Sequence, residues 1–344
     1  MTHIYVIRHG EAEGNIYRRI HGHYNSLITK NGYRQIAALE KRFENVPIDA
    51  VYASDLFRTR ETAKALYLPK HLPLHTDPRF REVYFGRWED LPFGHLEHFE
   101  LPQMRLFNHD IPRWHIVGAE DYKDFYRRFT DALTEVARQN DGRTIAVFTH
   151  GCVSDWSFRA MFGDTMEGCG HCDNTGVSLL QYDNGTFSYQ FLYDNSHLTD
   201  EISTFAHQRW WRGKRDFNLW FRPATEADAA LYDPEFLPRQ GHDTQIAMLS
   251  DKPVGYLSMN VQDSRPELSC LYLIPEQRHM RMGDQLLGCG VSAARNAGGK
   301  ALYLTVPGQC STALRFLERH GAEITQEAGT AYCRLAIEVP PAQL

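Results

Sequence analysis

The stretch Ile4-Tyr5-Val6-Ile7-Arg8-His9-Gly10-Glu11 passes from an apolar, β-branched run directly to a cation, an imidazole and a glycine. Short apolar runs closed by such a signal are buried strands of a parallel sheet. Thr144-Ile145-Ala146-Val147-Phe148-Thr149 repeats the pattern and ends in His150-Gly151. In an open parallel sheet, residues just past the carboxyl ends of the strands line the ligand crevice, so these two histidines are placed to meet there. The glycine after each lets the backbone turn sharply and approach a ligand. A third strand, Ala50-Val51-Tyr52, leads into Ser54-Asp55-Leu56-Phe57-Arg58-Thr59-Arg60, which carries arginines to the start of a helix. Guanidiniums and imidazoles converging at one sheet edge make a pocket for a tetrahedral dianion.

Around these runs the first 200 or so residues alternate strand and helix, as a sheet with crossover helices requires. Val177–Tyr182 is a further strand, and Asn184-Gly185 is the turn of a hairpin. Thr29 is the N-cap of a helix carrying Ile36, Leu39 and Phe43, and a second helix runs from about Glu120 to Ala137. Periodicity lapses over 201–216, which includes Trp210-Trp211; this is the connector, with the Trp pair packing between domains. Beyond it come a strand at Leu219–Phe221, a polar helix, and antiparallel strands at Gln245–Leu249, Val254–Met259 and Glu267–Leu273. A helix after Gly283, a strand at Leu302–Val306, a helix over Thr312–His320 and a strand around Tyr332–Ile337 complete an α+β domain. The divisions are thus 1–200, 201–216 and 217–344.

The 344 residues are enough for two domains, and 42% hydrophobic against 23% charged residues excludes a disordered chain. A net charge of −6 excludes a phosphate-backbone binder, so no nucleic acid is expected and any anion site is built locally. Seven scattered cysteines fit a reducing compartment. With no signal peptide and no long apolar run, a cytoplasmic protein without membrane contact is expected. Cys169-Gly170-His171-Cys172 lacks the second ligand pair of a zinc site and is expected to be a loop with buried thiols rather than a metal site.

Arg8-His9-Gly10-Glu11 with Asn15, Ser54-Asp55-Leu56 with Arg58 and Thr62-Ala63, Glu82 before Phe85-Gly86-Arg87-Trp88-Glu89, and His150-Gly151 together resemble the histidine phosphatase (phosphoglycerate mutase-like) superfamily. The resemblance covers about the first 200 residues, in order, and implies a three-layer α/β/α fold. It implies that His9 attacks phosphorus and forms a phosphohistidine, while Arg8, Arg58 and His150 hold the equatorial oxygens. Glu82 would protonate the leaving alkoxide and then activate water, with Glu89 and Glu11 as nearby carboxylates. Asn15 and Gly151 would bind the phosphate, although Asn15 is also placed to cap the following helix. No metal or cofactor is implied, since the cations supply the neutralisation. Ala12 stands where the family commonly has a hydroxyl near the phosphate, and Gly14 where it commonly has Trp. Arg60 is expected to be a solvated helix residue. Leu91–Val117 is expected to cover the pocket and select a small phosphomonoester. The longer basic insertion of phosphoglycerate mutases is not found here, which favours hydrolysis over a mutase.

The second domain, from about Asn218 to Glu338, resembles the GNAT acyltransferase family. Strand Glu267–Leu273 feeds Pro275-Glu276-Gln277-Arg278-His279-Met280-Arg281-Met282-Gly283 and then a helix, a ready pyrophosphate site with amides and helix dipole facing the anion. By resemblance Leu273, Arg278, Arg281, Gly283 and Asp284 would hold acetyl-CoA or another acyl-CoA, and Glu267 is a possible base for an amine acceptor. Arg281 replaces the first glycine of the family's pattern, and Leu317 stands where many members have a tyrosine that protonates the leaving thiolate. Two readings follow: a bifunctional phosphatase and N-acyltransferase, or a phosphatase regulated by an inactive acyl-CoA-binding module.

Overall fold

The computed structural model describes residues 1–208, 216–262 and 265–341. In the N-terminal part, strands β1 (Thr2–Arg8), β2 (Ala50–Ala53), β3 (Leu74–Thr76), β4 (Thr144–Thr149), β5 (Val177–Asp183) and β6 (Thr186–Asp194) form one sheet in the order β3-β2-β4-β1-β5-β6. β3, β2, β4 and β1 run parallel, and β5 and β6 are antiparallel additions. The helices are α1 (Glu13–Tyr17), α2 (Lys30–Phe43), α3 (Phe57–Tyr67), α4 (Phe93–Phe99), α5 (Leu101–His109), α6 (Tyr122–Gln139), α7 (Gly151–Phe162) and α8 (Thr204–His207). Alternate residues of the central strands feed two cores. Ile4, Val6, Ile145 and Val147 pack with Phe125, Phe129 and Leu133 of α6, whereas Ile7, Ala146 and Phe148 pack with Leu39 and Phe43 of α2 and Leu66 of α3. This gives three layers, α/β/α, as period-two strands between period-3.6 helices must.

Thr29 caps α2 as expected, its hydroxyl accepting from the Gly32 amide at 2.9 Å. The hairpin between β5 and β6 turns on Asn184 and Gly185, with φ of 49° and 85°, the left-handed pair a two-residue turn needs.

The second sheet contains β7 (Leu219–Pro223), β8 (Asp243–Leu249), β9 (Lys252–Asn260), β10 (Glu267–Leu273), β11 (Ala301–Pro307), β12 (Glu323–Glu327) and β13 (Thr330–Ala336), in the order β12-β13-β11-β10-β9-β8-β7. α9 (Met282–Asn296) and α10 (Ser311–Arg319) pack on one face through Leu287, Val291, Leu314 and Leu317. The polar helix expected after β7 is a single 3-10 stretch, Glu226–Leu231. Its Asp228 carboxylate is consumed by Arg222 and Thr225, which stabilises a local turn rather than a longer helix. β12 was not anticipated; its polar run ITQE lacks an apolar face, and it is held as an edge strand by β13 alone.

The connector expected over 201–216 lies partly outside the described residues, and Trp210-Trp211 entirely so. The segment expected to cover the pocket, Leu91–Val117, also reaches the second domain. Gly94 of α4 meets the Leu219 backbone so closely that a side chain there would strike it, and His98 stacks on Trp220 at 4.2 Å. This arrangement covers the β7 edge, whose outer backbone groups would otherwise be open to pairing.

Candidate active site

Strand register builds the site. Ala53 pairs with Phe148 and Arg8 with Thr149, so β2, β4 and β1 end level with one another. Ser54, His150 and His9 leave that edge side by side, locked by Ser54 N to Phe148 O (2.9 Å) and His9 N to Thr149 O (3.0 Å). The His9 and His150 rings are 5.3 Å apart and both are buried, at 3% and 0% exposure. Arg58, at the first turn of α3, is fully buried, and Arg8 completes the group.

A carbonyl partner fixes the tautomer of the His9 ring. His9 Nδ1 donates to Gly10 O at 2.8 Å, which leaves the Nε2 lone pair for attack. Ser54 Oγ takes the Leu56 amide and lies 2.9 Å from His150 Nε2. When the serine hydroxyl donates to Nε2, the His150 proton sits on Nδ1, which is then a donor. Burial first, then the Arg58 guanidinium, holds the pKa of both rings well below 6.5, so both are neutral at pH 7. Burial likewise lowers Arg58 to about 10, still charged at neutral pH.

Backbone carbonyls fix the arginines. Arg8 Nη1 donates to Cys172 O (2.7 Å), and Arg58 donates to Tyr24 O (3.0 Å) and Gly22 O (2.7 Å). Arg8 Nε, Arg58 Nε and His150 Nδ1 are buried without a partner among the described residues. Buried polar atoms without partners are costly, and two guanidinium donors among them suit an anion. Gly151 belongs here for a steric reason: a Cβ would stand 3.1 Å from Arg8 Nε.

Glu82 lies under the amino end of α7, where its carboxylate accepts from Val83 N (3.0 Å), Cys152 N (3.0 Å) and Val153 N (2.7 Å). Glu89 binds the loop opposite, through His23 N and Phe85 N. Glu11 is turned away and held by Thr29, Asn31 and Thr204, which makes it a structural carboxylate. Asn15 Oδ1 accepts from Ala12 N at 2.9 Å and from Asn174. It therefore caps α1, and of its side chain the amide NH₂ remains for an anion. Ala12 is fully buried at the N-cap, packed with Ile28 and the α2 core, so a hydroxyl there would serve the cap.

One expectation is corrected and one residue was missed. Arg60 is half-buried and donates to Pro341 O at 2.9 Å, because the chain's C-terminal segment crosses α3 there. His21 was missed. Its ring lies 6.0 Å from that of His9, beside Gly14, where a side chain would collide with it. Burial and the two arginines also lower its pKa well below 6.5. Gly14, flagged as a departure, was the signal: the room given up there is filled by His21.

In the second domain, β10 and β11 are registered only at Glu267–Tyr303 and Leu268–Leu304 and then diverge. The wedge opens toward the 274–281 loop and the amino end of α9. Arg281 stands there as N-cap in the left-handed region, φ 56°. Leu273 O receives Arg278 Nε at 2.9 Å, folding that side chain back onto β10, and Gly283 gives room to Phe316. Asp284 is 1% exposed and its carboxylate is spent on Arg319 and His320 at 2.6 and 2.9 Å, so it does not line the wedge. Glu267 sits at the closed end, paired with Arg239. The bulge between Leu268 and Cys270 brings Ser269 to the apex, 2.9 Å from His242 Nδ1.

This fold and pocket are those of the histidine phosphatase superfamily. The Histidine phosphatase superfamily (branch 1) model matches residues 4–195, over half the chain, and the chain belongs to that superfamily. The Acetyltransferase (GNAT) family model matches residues 206–322. The adenosylcobalamin/alpha-ribazole phosphatase of Salmonella typhimurium is 26% identical over 147 residues, 43% of this chain and 73% of the relative. The probable phosphoglycerate mutase GpmB of Yersinia pestis is 32% identical over 151 residues, 44% of this chain and 70% of that one. The solved structure of Bacillus stearothermophilus YhfR matches with TM-score 0.54 and 28% identity, covering 57% of this chain and 99% of that chain. No helix among the described residues is long and apolar enough to cross a membrane.

Proposed function

We propose that the N-terminal domain hydrolyses a small phosphomonoester through a phosphohistidine on His9. The observation that carries this reading is the convergence of Arg8 Nε, Arg58 Nε and His150 Nδ1, none with a partner among the described residues, around a neutral imidazole whose Nε2 is free. His9 Nε2 forms the N–P bond as the ester C–O–P linkage breaks at phosphorus. Glu82 gives its proton to the departing alkoxide, and then takes one from the water that releases orthophosphate. Arg8, Arg58 and His150 hold the oxygens through both transfers, and Asn15 adds an amide donor. The pocket's cations neutralise the phosphoryl charge without a metal. His9→Ala protein that hydrolysed a panel of phosphomonoesters at the wild-type rate would end this reading. A mutase would instead move phosphate between positions without net release.

The second domain is proposed to bind acetyl-CoA or another acyl-CoA, with the pantetheine arm in the β10–β11 wedge and the pyrophosphate at the amino end of α9. The parallel pair that diverges after Leu268, with helix amides at its mouth, supports this. Transfer to an amine is a second reading, favoured by His242 and Ser269 at the wedge apex. Leu317 in place of a phenol and the neutralised Glu267 favour a binding module. Calorimetry with acetyl-CoA followed by an amine panel separates them: binding without transfer leaves the module, and no binding removes both. A cytoplasmic setting suits both ligands.

A further inference from the structure

The loop that shapes the phosphate pocket is held from the second domain. Arg58 owes its orientation to the carbonyls of Gly22 and Tyr24, and these lie on the 13–24 segment that also bears Asn15 and His21. That segment rests on α9. Arg295, in the last turn of α9, donates to the Tyr24 hydroxyl (2.6 Å) and to Glu13 Oε2 (2.9 Å), and its Nε is fixed by Ile337 O (2.8 Å). Arg295 and Glu13 have side chains only 15% and 9% exposed. The same Glu13 oxygen accepts the Leu27 amide, closing the far end of the loop. One turn earlier, Ser292 bonds Asp90 and Arg19, and Gly288 admits Tyr17, whose ring is counted in the second domain's core.

We propose that Arg295 is a positioning residue for the phosphatase reaction, supplied by the acyltransferase-like domain: by bridging Tyr24 and Glu13 it sets the carbonyls that aim Arg58 at the phosphoryl group. The helix that carries it begins at the proposed pyrophosphate site, so one rigid element joins the two anion sites. A bidentate guanidinium suits this task because it fixes two partners in one plane, which an ammonium cannot do. The effect acts through placement, since a displacement of about 1 Å in a catalytic group costs roughly a hundredfold in rate.

This inference rests on the reading of His9 as nucleophile, and the test separates the two. In the full-length protein, kcat and KM for 4-nitrophenyl phosphate, the inhibition constant of vanadate, and the thermal midpoint are measured for wild type, Arg295→Lys, Arg295→Ala, Tyr24→Phe and His9→Ala. Expected for the Arg295 and Tyr24 variants is at least a tenfold rise in KM and in the vanadate constant, measured on folded protein. Lysine should restore the melting midpoint more fully than the vanadate affinity. If Arg295→Ala does not fold, Tyr24→Phe, which removes one hydroxyl, decides. Wild-type KM and vanadate affinity in Arg295→Lys and Tyr24→Phe would overturn the proposal, even with His9→Ala inactive. A fully active His9→Ala would overturn the underlying reading instead.

Discussion

Replacing Glu82 by glutamine tests the acid–base assignment at a position where the structural cost can be worked out. The carboxylate accepts three amides, from Val83, Cys152 and Val153. Glutamine keeps one acceptor oxygen and turns an NH₂ toward Cys152 N–H, which leaves one buried donor without a partner. That costs roughly 1–3 kcal/mol, a fraction of the ~5–15 kcal/mol that holds a domain folded, so the variant should fold with a midpoint lowered by only several degrees. The chemical loss should be much larger, about 10²–10⁴-fold in kcat, because a positioned general acid is worth that much. In kcat/KM, which reports transfer to His9 and not the water step shared by all substrates, the loss should also depend on the leaving group. An alkyl phosphate expels a strongly basic alkoxide and needs the proton, whereas 4-nitrophenyl phosphate expels a stable phenolate and hardly needs it. Rates with both substrates, beside Glu89→Gln, are the assay. In Glu89 both His23 N and Phe85 N donate to Oε1, so the amide can retain them, and that variant should stay within a few-fold of wild type. Equal losses of kcat/KM for both leaving groups in Glu82→Gln, or a greater loss in Glu89→Gln, would refute the assignment.

Other expectations follow from the same contacts. Gly14→Ala places a methyl inside the His21 ring, so phosphate affinity should fall with about 1–3 kcal/mol of overpacking strain, read from vanadate inhibition and chemical denaturation. His9, His21 and His150 have pKa values below the ordinary 6.5, chiefly from burial. The unfolded chain therefore takes up protons that the fold refuses, and stability, fully present above about pH 6.5, should fall by up to ~1.4 kcal/mol per histidine for each pH unit below it. Denaturant melts across that range, with and without orthophosphate, check this; the anion favours the charged rings and should flatten the slope. A chain ending at residue 208 exposes Tyr17, now 4% exposed, and strands Glu13 without Arg295, a loss of about 3–5 kcal/mol for a broken buried pair. It should melt well below the full chain by circular dichroism.

The N-terminal half was legible because its signals are local. Strand ends carrying His9-Gly10 and His150-Gly151 need only the parallel-sheet rule to be brought together, and Thr29, Asn184 and Gly185 act within one turn of chain. What escaped depends on partners distant in sequence. His21 in the pocket wall follows from space surrendered at Gly14, and the half-burial of Arg60 follows from a C-terminal segment nearly three hundred residues away. Asp284 looked like a ligand residue at a helix start, but Arg319 and His320 claim it. That α4, within the expected cover Leu91–Val117, would also meet the edge strand β7 was not legible, because its partner lies more than a hundred residues on. The wedge between β10 and β11 is a matter of strand divergence, to which residue types at Glu267–Leu273 give no clue.

The most direct test is to quench turnover of a ³²P-labelled phosphomonoester and map the label. A phosphoryl group on His9, labile to acid and stable to base, absent from His9→Ala and discharged to orthophosphate at the rate of turnover, is the expected result. Rapid phosphate release with no label on the protein, or with label at another residue, would contradict a phosphohistidine mechanism at this site.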